Sequence, residues 1–282
     1  KMIDFCLITV TYNNSNYIQY LIDSIIKSSG NSSFHLFISD NNSTDIDEIK
    51  AICLAEDNVT LIASKHNYGF CKGNNIAVSE AVKLDPKYFL FINPDLFLTE
   101  DWLENAARII EDVSLIGVLS GPLLQFDFKS KQATGLIDSL GINITRYGRW
   151  FDINQGCRRT DFIADVKPQA VCGALMLLKR EVIDALLQAD GYVFDERFFM
   201  YKEDVDLSLR IKKLGYQILV HHELIAFHCR GWNRKRKEMS FRAKKLSAIN
   251  DMRVAYKHRL FNLPFALFKF FYVFCVEFFY SK

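Results

Sequence analysis

The sequence lacks a marked excess of charge of either sign. Lys and Arg number 35 and Asp and Glu 33 over 282 residues, which leaves a formal net charge of +2. General nucleic-acid binding requires a clear basic excess, so we expect no nucleic-acid partner. Since 50% of the residues are hydrophobic and only 24% are charged, the composition also excludes an acidic disordered segment.

The cysteines lack the close spacing of a zinc ribbon or a redox motif, although there are seven of them. Several lie inside apolar runs such as Phe5–Cys6–Leu7, where a reduced cysteine behaves as a small hydrophobic residue. We therefore expect a reducing, cytosolic compartment. The chain opens directly on a strand-like run, and we expect no signal peptide.

Apolar strand-like runs alternate with segments of helical spacing through the first third of the chain. The predicted strands are Ile3–Thr11, Phe34–Ser39, Val59–Ala63 and Tyr88–Ile92. This alternation predicts an α/β fold with a mostly parallel sheet covered by helices on both faces. We expect a helix from about Asn74, a loop-rich insertion with hairpins over 121–167, a helix from about Val205 and a last strand over 216–220.

A polar triplet, Asn93–Pro94–Asp95, follows the strand that ends at Ile92. A carboxylate released at the end of a strand can hold a hard divalent cation, which neutralises a diphosphate. The same triplet is also good turn chemistry, so a purely structural turn or cap is the alternative.

Asp40 ends the second predicted strand and precedes a run of Asn, Ser and Thr residues. Its carboxylate could accept a hydrogen bond from the imide N–H of a pyrimidine base. Alternatively, Ser43 or Thr44 caps the next helix, and both interpretations can hold together.

The loop over 67–75 carries two glycines and three amide side chains ahead of a predicted helix. Glycine permits close backbone approach and a helix N-terminus favours phosphate. The loop matches neither the Walker pattern nor the dinucleotide fingerprint. A plain turn leading into the helix is the alternative.

Three acids, Glu203, Asp204 and Asp206, open the helix predicted from about Val205. The helix dipole alone stabilises acids in a first turn, but a carboxylate there is also well placed as a general base. His228, with His221 and His222 nearby, is a candidate metal ligand or a structural histidine.

Together these motifs resemble those of inverting glycosyltransferases with the GT-A fold, and most closely the bacterial rhamnosyltransferases of the large family that also holds cellulose and chitin synthases. The resemblance extends from Ile3 to His228. The matching stretches are Val10–Thr11–Tyr12–Asn13, Asp40–Asn41–Asn42–Ser43, Asn67-x-Gly69, Asn93–Pro94–Asp95, Cys172–Gly173–Ala174, Phe194–Asp195–Glu196 and Glu203–Asp204–Val205–Asp206–Leu207.

The resemblance implies a role for each matching residue. The nucleobase and ribose of a nucleotide sugar would contact Thr11, Tyr12 and Asp40. The diphosphate-sugar region would be lined by Asn67, Gly69 and Asn75. Asp95 would be the metal-binding member of the family's Asp-x-Asp motif, in which Asn93 replaces the first acid, and His228 would be a second ligand of Mg²⁺ or Mn²⁺.

The resemblance also implies the chemistry. Asp204 would be the catalytic base, while Gly173, Glu203 and Asp206 would orient the acceptor or support the loop. The donor would be a nucleotide sugar, dTDP-rhamnose in preference to a UDP-sugar, and the acceptor a glycan or a polyprenyl-diphosphate-linked saccharide of bacterial surface polysaccharide synthesis. A nucleotidyltransferase and a non-catalytic glycan-binding partner are the alternatives from other classes.

From residue 230 the chain becomes basic and then aromatic. We expect a GT-A domain over 1–229, with the donor half at 1–120 and the acceptor half at 121–229, followed by a helical tail over 230–282. The apolar run Phe265–Tyr280 is short for a bilayer span. It predicts a tail lying on the inner face of the cytoplasmic membrane. The alternative is that the tail packs on the GT-A domain or on a second subunit.

Overall fold

Strands and helices alternate through the first half of the chain, and two α-helices lie in the last described stretch, 239–278. The computed structural model describes residues 3–113, 115–161, 164–229 and 239–278. The strands are β1 (Phe5–Thr11), β2 (Phe34–Asp40), β3 (Val59–Ala63), β4 (Tyr88–Ile92), β5 (Leu96–Leu98), β6 (Ile116–Ser120), β7 (Leu123–Asp127), β8 (Gln132–Ser139), β9 (Ile142–Ile144), β10 (Trp150–Asp152), β11 (Leu175–Lys179), β12 (Gln217–Val220) and β13 (Ala226–His228). The α-helices are α1 (Ser15–Ser28), α2 (Ile46–Cys53), α3 (Gly69–Ala81), α4 (Trp102–Asp112), α5 (Arg180–Asp190), α6 (Glu203–Lys213), α7 (Phe241–His258) and α8 (Leu263–Tyr272).

The central sheet has the strand order β12–β6–β11–β4–β1–β2–β3. Neighbouring strands run parallel except around β11, which is antiparallel to both β4 and β6. The predicted α/β fold with a mostly parallel sheet is therefore confirmed. Because β4, β1 and β2 are adjacent and parallel, their carboxyl ends lie at one edge of the sheet, where open α/β sheets bind ligands.

Both faces of the sheet are covered by helices, because successive strand residues point to opposite sides. Phe5 and Leu7 of β1 pack into a cluster with α1, α2 and α4. Cys6 and Ile8 pack into a second cluster with α3, α5 and α6. Val254 of α7 also belongs to this second cluster, so the first tail helix contributes to the core of the GT-A part of the chain.

The insertion over 121–167 contains two hairpin-like pairs, as predicted. β7 pairs antiparallel with β8, and β9 with β10. β7 also joins a small second sheet of order β5–β13–β7–β8. This sheet matters for the site, because antiparallel pairing of β13 with β5 sets His228 opposite Leu96 and thus beside Asp95.

Two element predictions were wrong. Helix α3 begins at Gly69 rather than near Asn74, because Gly69 takes a left-handed φ of 80° and its N–H donates to Asn67 Oδ1 over 3.0 Å. The strand ending at Val220 is not the last, because β13 follows it. A strand of three residues is too short to give a periodic signal.

A close backbone crossing fixes the segment that leads to β13. A Cβ atom on Gly121 would lie 1.4 Å from the carbonyl oxygen of Leu224, so only glycine fits there. The N–H of Ala226 then donates to the Pro122 carbonyl over 3.1 Å. These contacts hold β13 against the end of β6.

The tail forms two helices that pack on each other. Ser240 caps α7 by accepting a hydrogen bond from the Ala243 N–H. Lys269 of α8 donates to Ser247 Oγ over 3.0 Å and contacts the Asp251 carboxylate. Among the described residues no helix is long and apolar enough to cross a membrane. Of the predicted basic block, the residues at 230–237 lie outside the described residues, whereas Arg242, Lys244 and Lys245 lie in α7.

Candidate active site

The carboxyl ends of β1 and β2 form one part of the site. Thr11 and Asp40 are register partners at the ends of these strands, and both are fully buried. Asp40 Oδ2 accepts a hydrogen bond from the Ser43 N–H over 3.0 Å. In the described part of the chain, Thr11 Oγ1 and Asp40 Oδ1 have no hydrogen-bond partner. Buried polar atoms are normally paired, so these two are candidates for ligand contacts.

The alternative interpretation, in which Ser43 or Thr44 caps the next helix, is wrong. Helix α2 begins after Asp45, and neither hydroxyl caps it. Ser43 Oγ accepts from the Asn13 N–H over 2.9 Å, and Thr44 donates to Asn13 Oδ1. Both hydroxyl residues therefore tie β2 to the end of β1, beside the half-exposed Tyr12.

The loop ahead of α3 is fixed by amide side chains. Asn67 Oδ1 accepts a hydrogen bond from the Gly69 N–H. Asn41 Nδ2 donates to the Gly69 carbonyl over 3.1 Å, and Asn41 Oδ1 accepts from the Tyr68 N–H over 3.2 Å. Asn75 is used differently, because both atoms of its amide bond to the backbone of Phe194 at 2.7 and 2.9 Å. Asn75 thus links α3 to the segment ahead of Glu203 and Asp204, a contact that its motif did not indicate.

Asp95 and His228 meet at the end of β4, as the two predicted metal ligands should. His228 Nε2 lies 3.4 Å from Asp95 Oδ1, while its Nδ1 lies 2.9 Å from Asp138 Oδ2. Burial alone would lower the pKa of His228, but the carboxylates of Asp95 and Asp138 outweigh it and raise the pKa to about 9. His221 and His222 face Asp165 instead, at 3.8 and 2.8 Å.

The residues present fit a divalent cation. A histidine ligand in proteins donates its second ring N–H to a carboxylate, which fixes the ring and the tautomer. Asp138 occupies that position and leaves Nε2 of His228 directed at Asp95. A carboxylate oxygen and an imidazole nitrogen are ligands that Mn²⁺ accepts. Asn93 donates its backbone N–H to the Ala174 carbonyl and lines the same cavity as His228.

Asp204 lies at the start of α6, with its carboxylate held by backbone groups. Oδ2 accepts from the Gly173 N–H over 3.1 Å and Oδ1 from the Val205 N–H over 2.8 Å. A Cβ atom on Gly173 would approach the Asp204 Cβ to 3.1 Å, so glycine permits this close packing. Burial raises the pKa of Asp204, and burial together with the neighbouring Asp204 charge raises that of Glu203.

Some of these groups line one cleft of about 970 Å³. The lining residues do not include Thr11, Tyr12, Asp40, Asn67, Gly69, Asn75 or Asp95. His228 and Asn93 lie in its wall together with Gly173, Glu203 and Asp204. The arrangement places a candidate cation site and a carboxylate of raised pKa on the same cavity. Such a cavity can neutralise a departing diphosphate on one side and accept a proton from an incoming hydroxyl on the other.

Asp206 does not reach this cleft, because it is completely buried and its carboxylate is held by two cationic side chains and a histidine. Arg210 lies 2.9 Å away on the same helix, and Lys257 and His258 of α7 lie 2.8 and 2.7 Å away. These partners outweigh burial and hold the pKa of Asp206 below its ordinary value. The resemblance implied that Asp206 would either orient the acceptor or support the loop. This environment fits the second role.

Sequence reasoning missed the groups that support the site. They are Asp138 from a hairpin strand, Arg210 from α6, and Asn250, Lys257 and His258 from the tail. None stands in a recognisable motif, and each reaches its partner only through the tertiary fold. An acid within a strand, as at Asp138, was the one available signal.

The fold and the site define a class, the GT-A glycosyltransferases. Residues 6–187, which are 182 of the 282 residues, match the family model described as Glycosyl transferase family 2. The chain therefore belongs to glycosyl transferase family 2.

Relatives agree with this assignment. The chain is 25% identical over 236 residues to the rhamnosyltransferase WbbL of Escherichia coli K12, covering 79% of this chain and 81% of that protein. A structure of GalNAc-T7 with UDP, GalNAc and Mn²⁺ has a TM-score of 0.66 at 14% identity, covering 91% of this chain and 48% of the other. The mannosyltransferase PcManGT of Pyrobaculum calidifontis, with GDP-Man and Mn²⁺, has a TM-score of 0.58 at 15% identity, covering 98% and 71%.

The paired state of Asp206 gives a first prediction. Asp206→Asn removes the buried carboxylate that Arg210 and Lys257 share and leaves them only Asp190 and Asp195 as partners. Breaking a buried pair costs up to about 3–5 kcal/mol of unfolding free energy at pH 7. Because the folded pKa is lowered, the carboxylate stabilises the fold above the unfolded value near 3.8 and loses this effect as pH falls through the folded value. Urea unfolding at pH 7 and below pH 4 measures the difference in unfolding free energy between the wild type and Asp206→Asn, which should shrink in acid. An equal difference at both pH values would contradict the charge pairing.

Proposed function

We propose that this protein is an inverting glycosyltransferase that moves rhamnose from dTDP-rhamnose to a hydroxyl of a glycan or polyprenyl-diphosphate-linked acceptor. One observation carries the proposal: Asp204 and His228 line the same cleft, with Asp95 next to His228. The similarity to a rhamnosyltransferase supports the choice of sugar. Synthesis of a bacterial surface polysaccharide such as O-antigen is the process in which such a transfer would occur.

The reaction uses Asp204 as its general base. The carboxylate takes the proton of the acceptor hydroxyl while that oxygen attacks the anomeric carbon from the face opposite the nucleoside diphosphate. The new carbon–oxygen bond forms as the bond to the phosphate oxygen breaks, and the electron pair leaves with the diphosphate. Attack from the opposite face inverts the anomeric centre. A raised pKa makes Asp204 a stronger proton acceptor near neutral pH.

Asp95 and His228 would hold Mg²⁺ or Mn²⁺, with Asp138 fixing the histidine ring. A bound divalent cation supplies positive charge that offsets the charge of the diphosphate. Thr11 and Asp40, with unpartnered buried oxygens at the strand ends, would contact the nucleoside, and Asp40 could accept from a pyrimidine imide. The loop around Asn67 and Gly69 would approach the diphosphate.

A non-catalytic glycan-binding partner in a polysaccharide assembly complex is the second candidate. A binding partner would not need a carboxylate held in a fixed position beside the cleft. At Asp204 two backbone N–H groups hold the carboxylate in this way. Release of nucleoside diphosphate that depends on acceptor would separate a transferase from such a partner and from a nucleotidyltransferase.

The donor and the cation can be tested together by thermal unfolding. With Mn²⁺ present, dTDP-rhamnose is expected to raise the melting temperature more than UDP-glucose, UDP-N-acetylglucosamine or UDP-galactofuranose. Ligand at 100 times its Kd should add about 2.7 kcal/mol. His228→Ala should remove the part of the shift that depends on Mn²⁺. A larger shift with a UDP-sugar would reassign the donor, and a shift independent of Mn²⁺ would argue against the cation.

The base assignment predicts that Asp204→Asn keeps donor affinity but slows transfer by at least about 100-fold, since general-base help is worth about 10² to 10⁴. Donor Kd by calorimetry and the initial rate of transfer measure the two effects. The exposed Asp57→Asn, the same chemical change away from the cleft, is the control. Because the rate needs ionised Asp204, wild-type kcat should fall with decreasing pH at a pKa above 3.8. Transfer by Asp204→Asn near the wild-type rate would remove Asp204 from this role.

The tail is proposed to lie on the inner face of the cytoplasmic membrane, next to a lipid-linked acceptor. Apolar side chains crowd its outer surface, and Phe261, Phe268 and Phe271 are 86%, 66% and 58% exposed. Helix α8 buries Ala266 on its opposite side and is tied to α7 through Lys269. An aromatic face beside basic residues suits an anionic lipid surface.

Membrane association predicts that the protein sediments with phosphatidylglycerol vesicles and less so in high salt or with phosphatidylcholine. Changing both Phe268 and Phe271 to Ser should reduce binding by at least about tenfold, since a fully buried Phe contributes about 1.5–3 kcal/mol. Leu54→Ser is the matched control, because Leu54 is 87% exposed on the GT-A domain. Unchanged vesicle binding by the double variant would contradict membrane binding through the tail. Sedimentation velocity would then test whether the tail pairs with a second subunit.

A further inference from the structure

The segment directly ahead of the catalytic acids has an unusual backbone. Phe199, Tyr201 and Lys202 have φ values of 59°, 71° and 69°. Bulky residues rarely adopt positive φ, and such conformations persist only where the surrounding structure enforces them. The next two residues are Glu203 and Asp204, so this segment sets the position at which Asp204 enters the cleft.

One side chain of the tail holds this segment. Asn250 of α7 is completely buried. Its Nδ2 lies 2.8, 2.9 and 2.8 Å from the carbonyl oxygens of Phe198, Met200 and Tyr201. Two amide protons are thus shared among three buried carbonyls, which would otherwise lack these donors.

The orientation of the Asn250 amide is itself fixed. Its Oδ1 accepts a hydrogen bond from Arg253 Nη1 over 2.7 Å, one turn further along α7. A charged donor at Oδ1 directs the NH₂ group to the opposite side, toward the three carbonyls. The same helix also reaches α6 through Lys257 and His258, which pair with Asp206.

We propose that Asn250 is a positioning residue for sugar transfer: it holds the 198–202 backbone in the conformation that directs Asp204 into the cleft. The proposal rests on the proposed function for the role of Asp204 as base. It gives the tail helix α7, which lies beyond the residues matched by the family model, a part in the reaction without contact to substrate. Asn250 acts through the backbone and donates no proton to the reaction.

Asn250→Leu tests the proposal, because leucine has a similar size and no donor. The first readout is amide hydrogen exchange over 198–206, which should become at least about tenfold faster as the segment opens locally. The second is transfer from dTDP-rhamnose to a polyprenyl-diphosphate-linked saccharide. We expect kcat to fall by about 10- to 100-fold, since a misplacement of about 1 Å can cost about 100-fold. The Kd for dTDP should stay within about twofold, because the nucleoside end of the site is built by other strands.

Two further variants separate positioning from a general loss of stability. Asn250→Ser keeps one hydrogen-bond donor and should give an intermediate kcat, and it replaces Asn250→Leu if that variant does not fold. Tyr256→Ala, on an exposed position of the same helix, should leave exchange, Kd and kcat unchanged. A kcat within about twofold of wild type in both Asn250 variants would overturn the proposal, as would a parallel loss of dTDP affinity.

Failure of this proposal is distinguishable from failure of the proposed function. If Asp204→Asn is inactive and Asn250→Leu is fully active, only the positioning role fails. If Asp204→Asn retains transfer, the base assignment fails, while hydrogen exchange in Asn250→Leu still reports whether Asn250 holds the segment.

Discussion

The site depends on one completely buried carboxylate, that of Asp206. A buried charge is tolerated only with partners, and its partners come from two helices: Arg210 from α6 itself, and Lys257 and His258 from α7. Lys257 also reaches Asp195, 2.9 Å away, in the segment ahead of α6. This charge cluster therefore fixes the start of α6, the preceding segment and the tail helix relative to one another. The cleft end of α6 is held by this cluster together with the Asn250 contacts to the preceding segment.

The two walls of the cleft differ in how their charges are stabilised. At the end of β4, His228 lies between Asp95 and Asp138, and these carboxylates outweigh burial and raise its pKa. At the start of α6, burial raises the pKa of Asp204 although two backbone N–H groups oppose it. One wall therefore favours positive charge, and the other favours a carboxylate that accepts a proton readily. Environments that differ in this way give the groups of one cavity separate tasks.

The sequence predicted the fold because hydrophobic periodicity is local and the motifs fall where strands end. The pairing of Thr11 with Asp40 follows from two adjacent parallel strands, and the approach of Asp95 to His228 was implied by the family resemblance. Asp138 and Asn250 could not be predicted, because they reach partners 90 and 49 to 52 positions away along the chain through hydrogen bonds that leave no local pattern. The strand β13 was missed because three residues show no period. The early start of α3 was missed because it depends on the left-handed φ of one glycine, Gly69.

The packing of α7 also bears on how such chains can be recombined. The match to the family model ends at residue 187, ahead of α6, yet α6 and α7 share a buried charge cluster and the Asn250 contacts. A graft of a foreign C-terminal region onto this sheet must therefore bring α6 and α7 together, or the new helix will meet an unmatched Asp206. Between α7 and α8 the chain makes a short 3-10 turn, Leu260–Asn262, at which Leu260 and Phe261 are exposed. That turn is the natural crossover point, because α8 can be exchanged there while α6 and α7 stay together.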